Sequence, residues 1–74
     1  MKEKVLEILA EVNEDILDYD GDNLVESGIL DSFQIINLVE MFEEAFDIEI
    51  DAELVVVENF QTKEAIMEML EGIL

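Results

Sequence analysis

Two stretches of this sequence carry side chains that could do chemistry. The first is Asp31-Ser32, at the head of the most strongly periodic segment of the chain. Asp31 is a good N-cap, its carboxylate accepting from the free amides of a first turn, which places Ser32 at the first helical position. The hydroxyl then lies where the helix dipole is positive, and a phosphodiester built there would meet free backbone amides. No His or Lys stands nearby in sequence to act as its base, so a nucleophilic hydrolase is disfavoured, and any chemistry at Ser32 is performed by another enzyme. The blander reading is that Asp31-Ser32 only caps a helix. The second stretch, Asp18-Tyr19-Asp20-Gly21-Asp22, has the clustered oxygens of a calcium loop. Its register is wrong: aligning Gly21 with the loop glycine puts Ile16 at the first ligand position and Ser27 where a bidentate Glu should stand.

Composition removes most other chemistry. Cysteine and histidine are both absent. Disulfides, thiolate nucleophiles, the usual zinc ligands and the commonest general base near neutral pH are therefore gone. Asp and Glu number 21 against three Lys, a formal charge of −18 that repels nucleic acid and anionic membranes and draws basic protein surfaces. Half the residues are hydrophobic, so a folded domain is expected rather than an acidic disordered tail. Glu7 interrupts what would otherwise be the apolar run of a signal peptide, and no apolar run reaches the roughly 20 residues that cross a bilayer. A cytoplasmic, monomeric chain without membrane insertion is the expectation.

Seventy-four residues allow one domain, 1–74, with a core but no deep cleft. Val5, Ile8, Leu9 and Val12 fall at helical spacing and predict a first helix over 3–12. Residues 13–31 lose that periodicity and read as one long loop, pinned to the core by Ile16, Leu17, Leu24, Val25, Ile29 and Leu30. Ile35, Leu38, Val39, Phe42 and Phe46 form the core stripe of a helix from 31 to about 46. Val55-Val56-Val57 favour a strand by composition, but with nothing evident to pair with, a short helix capped by Asp51 is expected. Thr62 caps a last helix with Ile66, Met69, Leu70 and Ile73 on one side, ending near Gly72. The predicted fold class is all-α: a four-helix bundle, three main helices plus one short one, with a long structured loop between the first and second.

The Asp31–Phe46 helix carries a second apolar face. With its core stripe turned inward, Phe33 and Ile36 lie on another side beside Asn37, Glu40 and Glu44. Rimmed by Glu40, Glu43, Glu44 and Asp47, they have the anatomy of a docking site for basic partners, an apolar centre with a charged border. The alternative is that Phe33 folds back against the long loop and Ile36 is partly covered.

Together these residues resemble the acyl and peptidyl carrier protein family, small four-helix domains whose modified serine follows an Asp at the start of the second helix. Leu24-Val25-Glu26-Ser27-Gly28-Ile29-Leu30-Asp31-Ser32-Phe33 resembles the family's loop and attachment motif. Leu38-Val39 with Phe42-Glu43-Glu44-Ala45-Phe46 resembles the rest of that helix. Ile48-Glu49-Ile50, Glu58-Asn59-Phe60 and Thr62 to Ile66 match the later connections. The resemblance implies that Ser32 receives phosphopantetheine from coenzyme A through a magnesium-dependent phosphopantetheinyl transferase, with Asp31 helping that enzyme bind. An acyl or aminoacyl group would then ride as a thioester on the arm, loaded and used by partner enzymes, the chain itself being no enzyme and holding no metal. Phe33, Ile36, Asn37, Glu40, Glu43 and Glu44 would form the recognition surface. Asn37 stands where many members carry an acid, and Asp51 where many carry Pro. The Glu-Ser-Gly-Ile-Leu and Glu-Asn-Phe stretches look closer to stand-alone aminoacyl, D-alanyl or secondary-metabolite carriers than to the fatty-acid type. Two readings compete: an acidic interaction module with no prosthetic group, and a calcium-binding module.

Overall fold

A computed structural model describes residues 2–74, and among these it contains helices and turns but no strand. The α-helices are α1 (Lys2–Val12), α2 (Asp15–Asp18), α3 (Ser32–Phe46) and α4 (Lys63–Ile73), with 3₁₀ turns at Ala52–Leu54 and Val57–Asn59 between the last two. The all-α bundle expected from periodicity is the fold observed.

Each long helix buries the stripe its spacing predicts. Val5, Ile8 and Leu9 of α1 meet Leu38 and Phe42 of α3, and Ile66, Met69 and Leu70 of α4 complete the core. Ile35, Val39 and Phe46 are half-buried at its margin, and Phe46 stacks on Phe42 with ring centroids 6.3 Å apart. Leu24, Leu30, Ile50 and Phe60 are also buried although none lies in an α-helix. The connections are therefore part of the core, as a small domain with little interior requires.

Two connections differ from expectation. The segment 13–31 is not all loop, because Asp15–Asp18 forms one helical turn with Ile16 buried beneath it. The Asn13 side chain starts this turn by accepting from the Asp15 amide at 3.0 Å and also donates to the Ile29 carbonyl at 3.1 Å. Four residues are too few to show a helical period. The short helix expected after Asp51 is divided into two 3₁₀ turns with Val55 and Val56 between them. Asp51 does cap the first of them, its carboxylate accepting from Glu53 at 3.1 Å, while β-branched side chains make a continuous α-helix less favourable. The last helix continues through Gly72 to Ile73.

Among the described residues no polar or charged side chain is buried, so the acids crowd the surface of a chain of charge −18. Their mutual repulsion opposes folding and is screened by salt. Raising NaCl from about 10 to 300 mM is expected to raise Tm by several degrees in differential scanning calorimetry; a salt-independent Tm would contradict it.

Candidate functional site

α3 begins where the sequence indicates, and the way it begins presents Ser32. Asp31 is extended, and its side chain accepts from the Gln34 amide at 2.9 Å. The Gln34 side chain in turn accepts from the Asp31 amide at 3.2 Å, completing a capping box. Asp31→Ala removes one half of that exchange and is expected to cost about 1 kcal/mol in urea unfolding.

Ser32 follows as the first helical residue and is exposed. The chain has four hydroxyl side chains, and the other three are committed to backbone. Ser27 donates to the Leu24 carbonyl at 2.8 Å, Thr62 caps α4 by accepting from Ala65 at 3.0 Å, and Tyr19 accepts from the Asn23 amide at 2.8 Å. Among the described residues only the Ser32 hydroxyl makes no hydrogen bond, and it stands at the helix end where N–H groups lack intrahelical partners.

The approach to Ser32 is a hydrogen-bonded turn. Asn23 accepts from the amides of Val25 and Glu26 at 3.0 Å each, and the amides of Ile29 and Leu30 both donate to the Leu24 carbonyl at 3.1 Å. Gly28 turns the chain with φ of +88°, a conformation that side chains other than glycine's strain to adopt. Buried Leu24 and Leu30 anchor both ends of the turn.

Phe33 is 81% exposed and does not fold back on the loop, while Ile36, 53% exposed, is partly covered as the alternative had it. Asn37, Glu40 and Glu44 are exposed beside them. Glu43 stands apart, half-buried, with its carboxylate accepting from the Ile50 amide at 2.8 Å. The sequence reading missed the wall on the other side of Ser32. A groove of about 270 Å³ is lined by Ser32, Ile35, Ile36, Val55, Val56 and Val57. Val56 and Val57 are exposed, so the apolar surface extends from α3 across the groove. Their unpaired β-branched run was the one available signal. A second groove, of about 310 Å³, lies between α1 and the far end of α3, with Lys4, Ile8 and Ala45 on its walls. It is roughly 20 Å along the helix from Ser32.

The Asp18–Asp22 segment is built as a strut. Gly21 packs so closely on the Tyr19 ring that a Cβ there would overlap it. Among the described residues, no group of three or more acidic, His or Cys side chains is placed to hold a metal ion. No helix is long and apolar enough to cross a membrane.

Residues 3–70 match the family of the phosphopantetheine attachment site. The chain belongs to this carrier-protein family. D-alanyl carrier proteins of Bacillus cereus (strain B4264) and Bacillus anthracis (strain CDC 684 / NRRL 3495) are each 40% identical to it over 74 residues, covering 97% of this chain and 94% of theirs. No solved structure gives a significant match. Members of the family are carriers rather than enzymes and hold phosphopantetheine covalently, served by a phosphopantetheinyl transferase and by loading enzymes.

Proposed function

We propose that this chain forms a single carrier domain that holds a small aminoacyl group, D-alanine foremost, on phosphopantetheine attached to Ser32. The observation that carries the site assignment is the Ser32 hydroxyl at the first position of α3, exposed and, among the described residues, without a hydrogen bond. The arm fits there: an exposed hydroxyl leaves room for a tether, the first-turn amides and helix dipole favour a phosphodiester, and the groove beside it offers an apolar resting place. The arm supplies the thiol that a chain without cysteine lacks.

In the modification Ser32 Oγ attacks the phosphorus nearest the pantetheine of coenzyme A. An O–P bond forms, the pyrophosphate linkage breaks, and adenosine 3′,5′-bisphosphate leaves. The transferase removes the hydroxyl proton, since no His or Lys stands beside Ser32 in sequence and the Asp31 carboxylate is engaged as the helix cap. The capping box keeps Ser32 at the helix tip, while the Leu24–Leu30 turn keeps the approach open. Phe33 and Ile36 with Asn37, Glu40 and Glu44 form the partner surface, Asp31 adding a carboxylate at its head for the transferase.

Two observations support a small cargo. The relatives are named D-alanyl carriers. The groove's volume of about 270 Å³ lies just below the roughly 300–1,000 Å³ of ordinary ligand pockets, little for an arm and a long acyl chain together. The reading places the protein as a monomer in the cytoplasm with coenzyme A, its charge of −18 opposing self-association.

The test is to incubate the folded chain with coenzyme A, magnesium and a broad-specificity phosphopantetheinyl transferase and weigh it intact. One phosphopantetheine adduct is expected. Offering the holo form to a D-alanine-activating ligase with ATP should add one D-alanyl mass that hydroxylamine releases. An unmodified wild type refutes the carrier assignment at Ser32; an adduct that accepts no D-alanine refutes the cargo alone.

A further inference from the structure

The acids of α3 are not equivalent. Glu40 and Glu44 are exposed, whereas Glu43 is half-buried and spends its carboxylate on the Ile50 amide at 2.8 Å. Among the described residues this is the only side-chain hydrogen bond between α3 and residues 48–60. The Glu43 carbonyl accepts as well, from the cap amide of Asp47 and from Ile48 at 3.2 Å. One residue therefore fastens both the end of the helix and the chain that turns back from it.

What the turned-back chain builds is the second wall of the groove. Ser32, Ile36, Val39 and Glu43 stand at i, i+4, i+7 and i+11, one line along the helix. The chain is pinned to the Glu43 end of that line at buried Ile50 and reaches Val55, Val56 and Val57 at the Ser32 end. The span between is stiff: Asp51 caps its first turn, and the Asn59 side chain donates to the Leu54 carbonyl at 2.7 Å. A shift at Ile50 would thereby reach the valines.

We infer that Glu43 is a positioning residue, a latch whose carboxylate on the Ile50 amide sets the gap between α3 and the Val55–Val57 wall and so shapes the groove beside Ser32. It is withdrawn from partner docking, which falls to Glu40 and Glu44. The bond is charge-assisted, and without its acceptor the Ile50 amide is left half-buried and unpaired. The latch stands on the structure alone; its separation from docking rests on the carrier reading.

Four substitutions decide it. Glu43→Asp keeps the charge but is one methylene too short to reach, Glu43→Gln keeps an acceptor at full length without the charge, Glu43→Ala keeps neither, and Glu40→Gln removes a docking acid. Amide hydrogen exchange by NMR should quicken at Ile50 about tenfold in Glu43→Asp and Glu43→Ala, and within threefold in Glu43→Gln, relative to Leu70 in the same sample. Methyl resonances of Val55–Val57 should shift in Asp and Ala and stay put in Gln, with those of Val5 and Ile66 fixed throughout. Glu43→Asp keeps the test sound should Glu43→Ala fail to fold. With the transferase, Glu43→Gln should keep the wild-type KM while Glu40→Gln raises it.

Unchanged Ile50 exchange and valine methyls in Glu43→Asp would overturn the latch. A KM rise in Glu43→Gln matching that of Glu40→Gln would return Glu43 to the docking acids. If the wild type takes up no phosphopantetheine, the carrier reading fails while the exchange data still decide the latch.

Discussion

Ser32→Ala is expected to give a folded helical protein that gains no mass when incubated with coenzyme A, magnesium and a phosphopantetheinyl transferase. The effect on modification is complete rather than partial because no other hydroxyl can substitute. Ser27 donates to the Leu24 carbonyl inside a fixed turn, Thr62 is bound as the cap of α4, and Tyr19 is the strut against Gly21. The effect on stability is small for separate reasons. The Ser32 side chain is exposed and bonded to nothing among the described residues, the cap belongs to Asp31, and alanine is the better helix former. A change within about 0.5 kcal/mol in urea unfolding is expected. Circular dichroism with intact mass thus separates loss of the nucleophile from loss of the fold. An adduct persisting on the variant would move the attachment elsewhere.

That serine was legible in the sequence because its signal is local. Asp31 before an apolar-periodic run marks a cap, the cap fixes the position of Ser32, and the same reasoning locates Thr62 at the head of α4. The long helices were legible for a related reason: two or more turns repeat the same core-facing spacing, so Val5, Ile8 and Leu9 or Ile66, Met69 and Leu70 announce a face. What stayed hidden depends on contacts between distant segments. The single turn at Asp15–Asp18 is stabilised by Asn13 from outside its own span and shows no period. The valines at 55–57 look like an unpaired strand until α3 is placed across a groove from them. Glu43 reads as one more surface acid on a helix rich in them, since its partner amide comes from a chain that has already reversed direction. Sequence pattern states which way a side chain faces on its own element and is silent on what another element brings to meet it.

The last prediction uses two residues of one type on one helix. Phe33 and Phe42 are nine positions apart, two and a half turns, and so project from opposite faces of α3. Phe42 is fully buried and stacked on Phe46; Phe33 is 81% exposed. Phe42→Ala removes a ring from a core shared with α1 and α4 and leaves a cavity, at a cost of about 3–5 kcal/mol. Folded domains hold only about 5–15 kcal/mol in total, and a small, strongly acidic one belongs near the lower end, so this substitution consumes most of the stability. Tm should fall by at least about 15 °C, or the cooperative transition should vanish. Phe33→Ala should leave Tm within a few degrees and the transition intact, because a ring that is 81% exposed adds little to folding, while raising KM for the transferase if the proposed partner surface is the one it grips. Equal destabilisation by the two would mean that Phe33 is covered in solution, and the apolar half of the partner surface would then be lost. A neutral Phe42→Ala would contradict the core itself. Opposite outcomes from two phenylalanines on α3 are what the proposed partner surface requires: one face holds the bundle together, while the other stays uncovered.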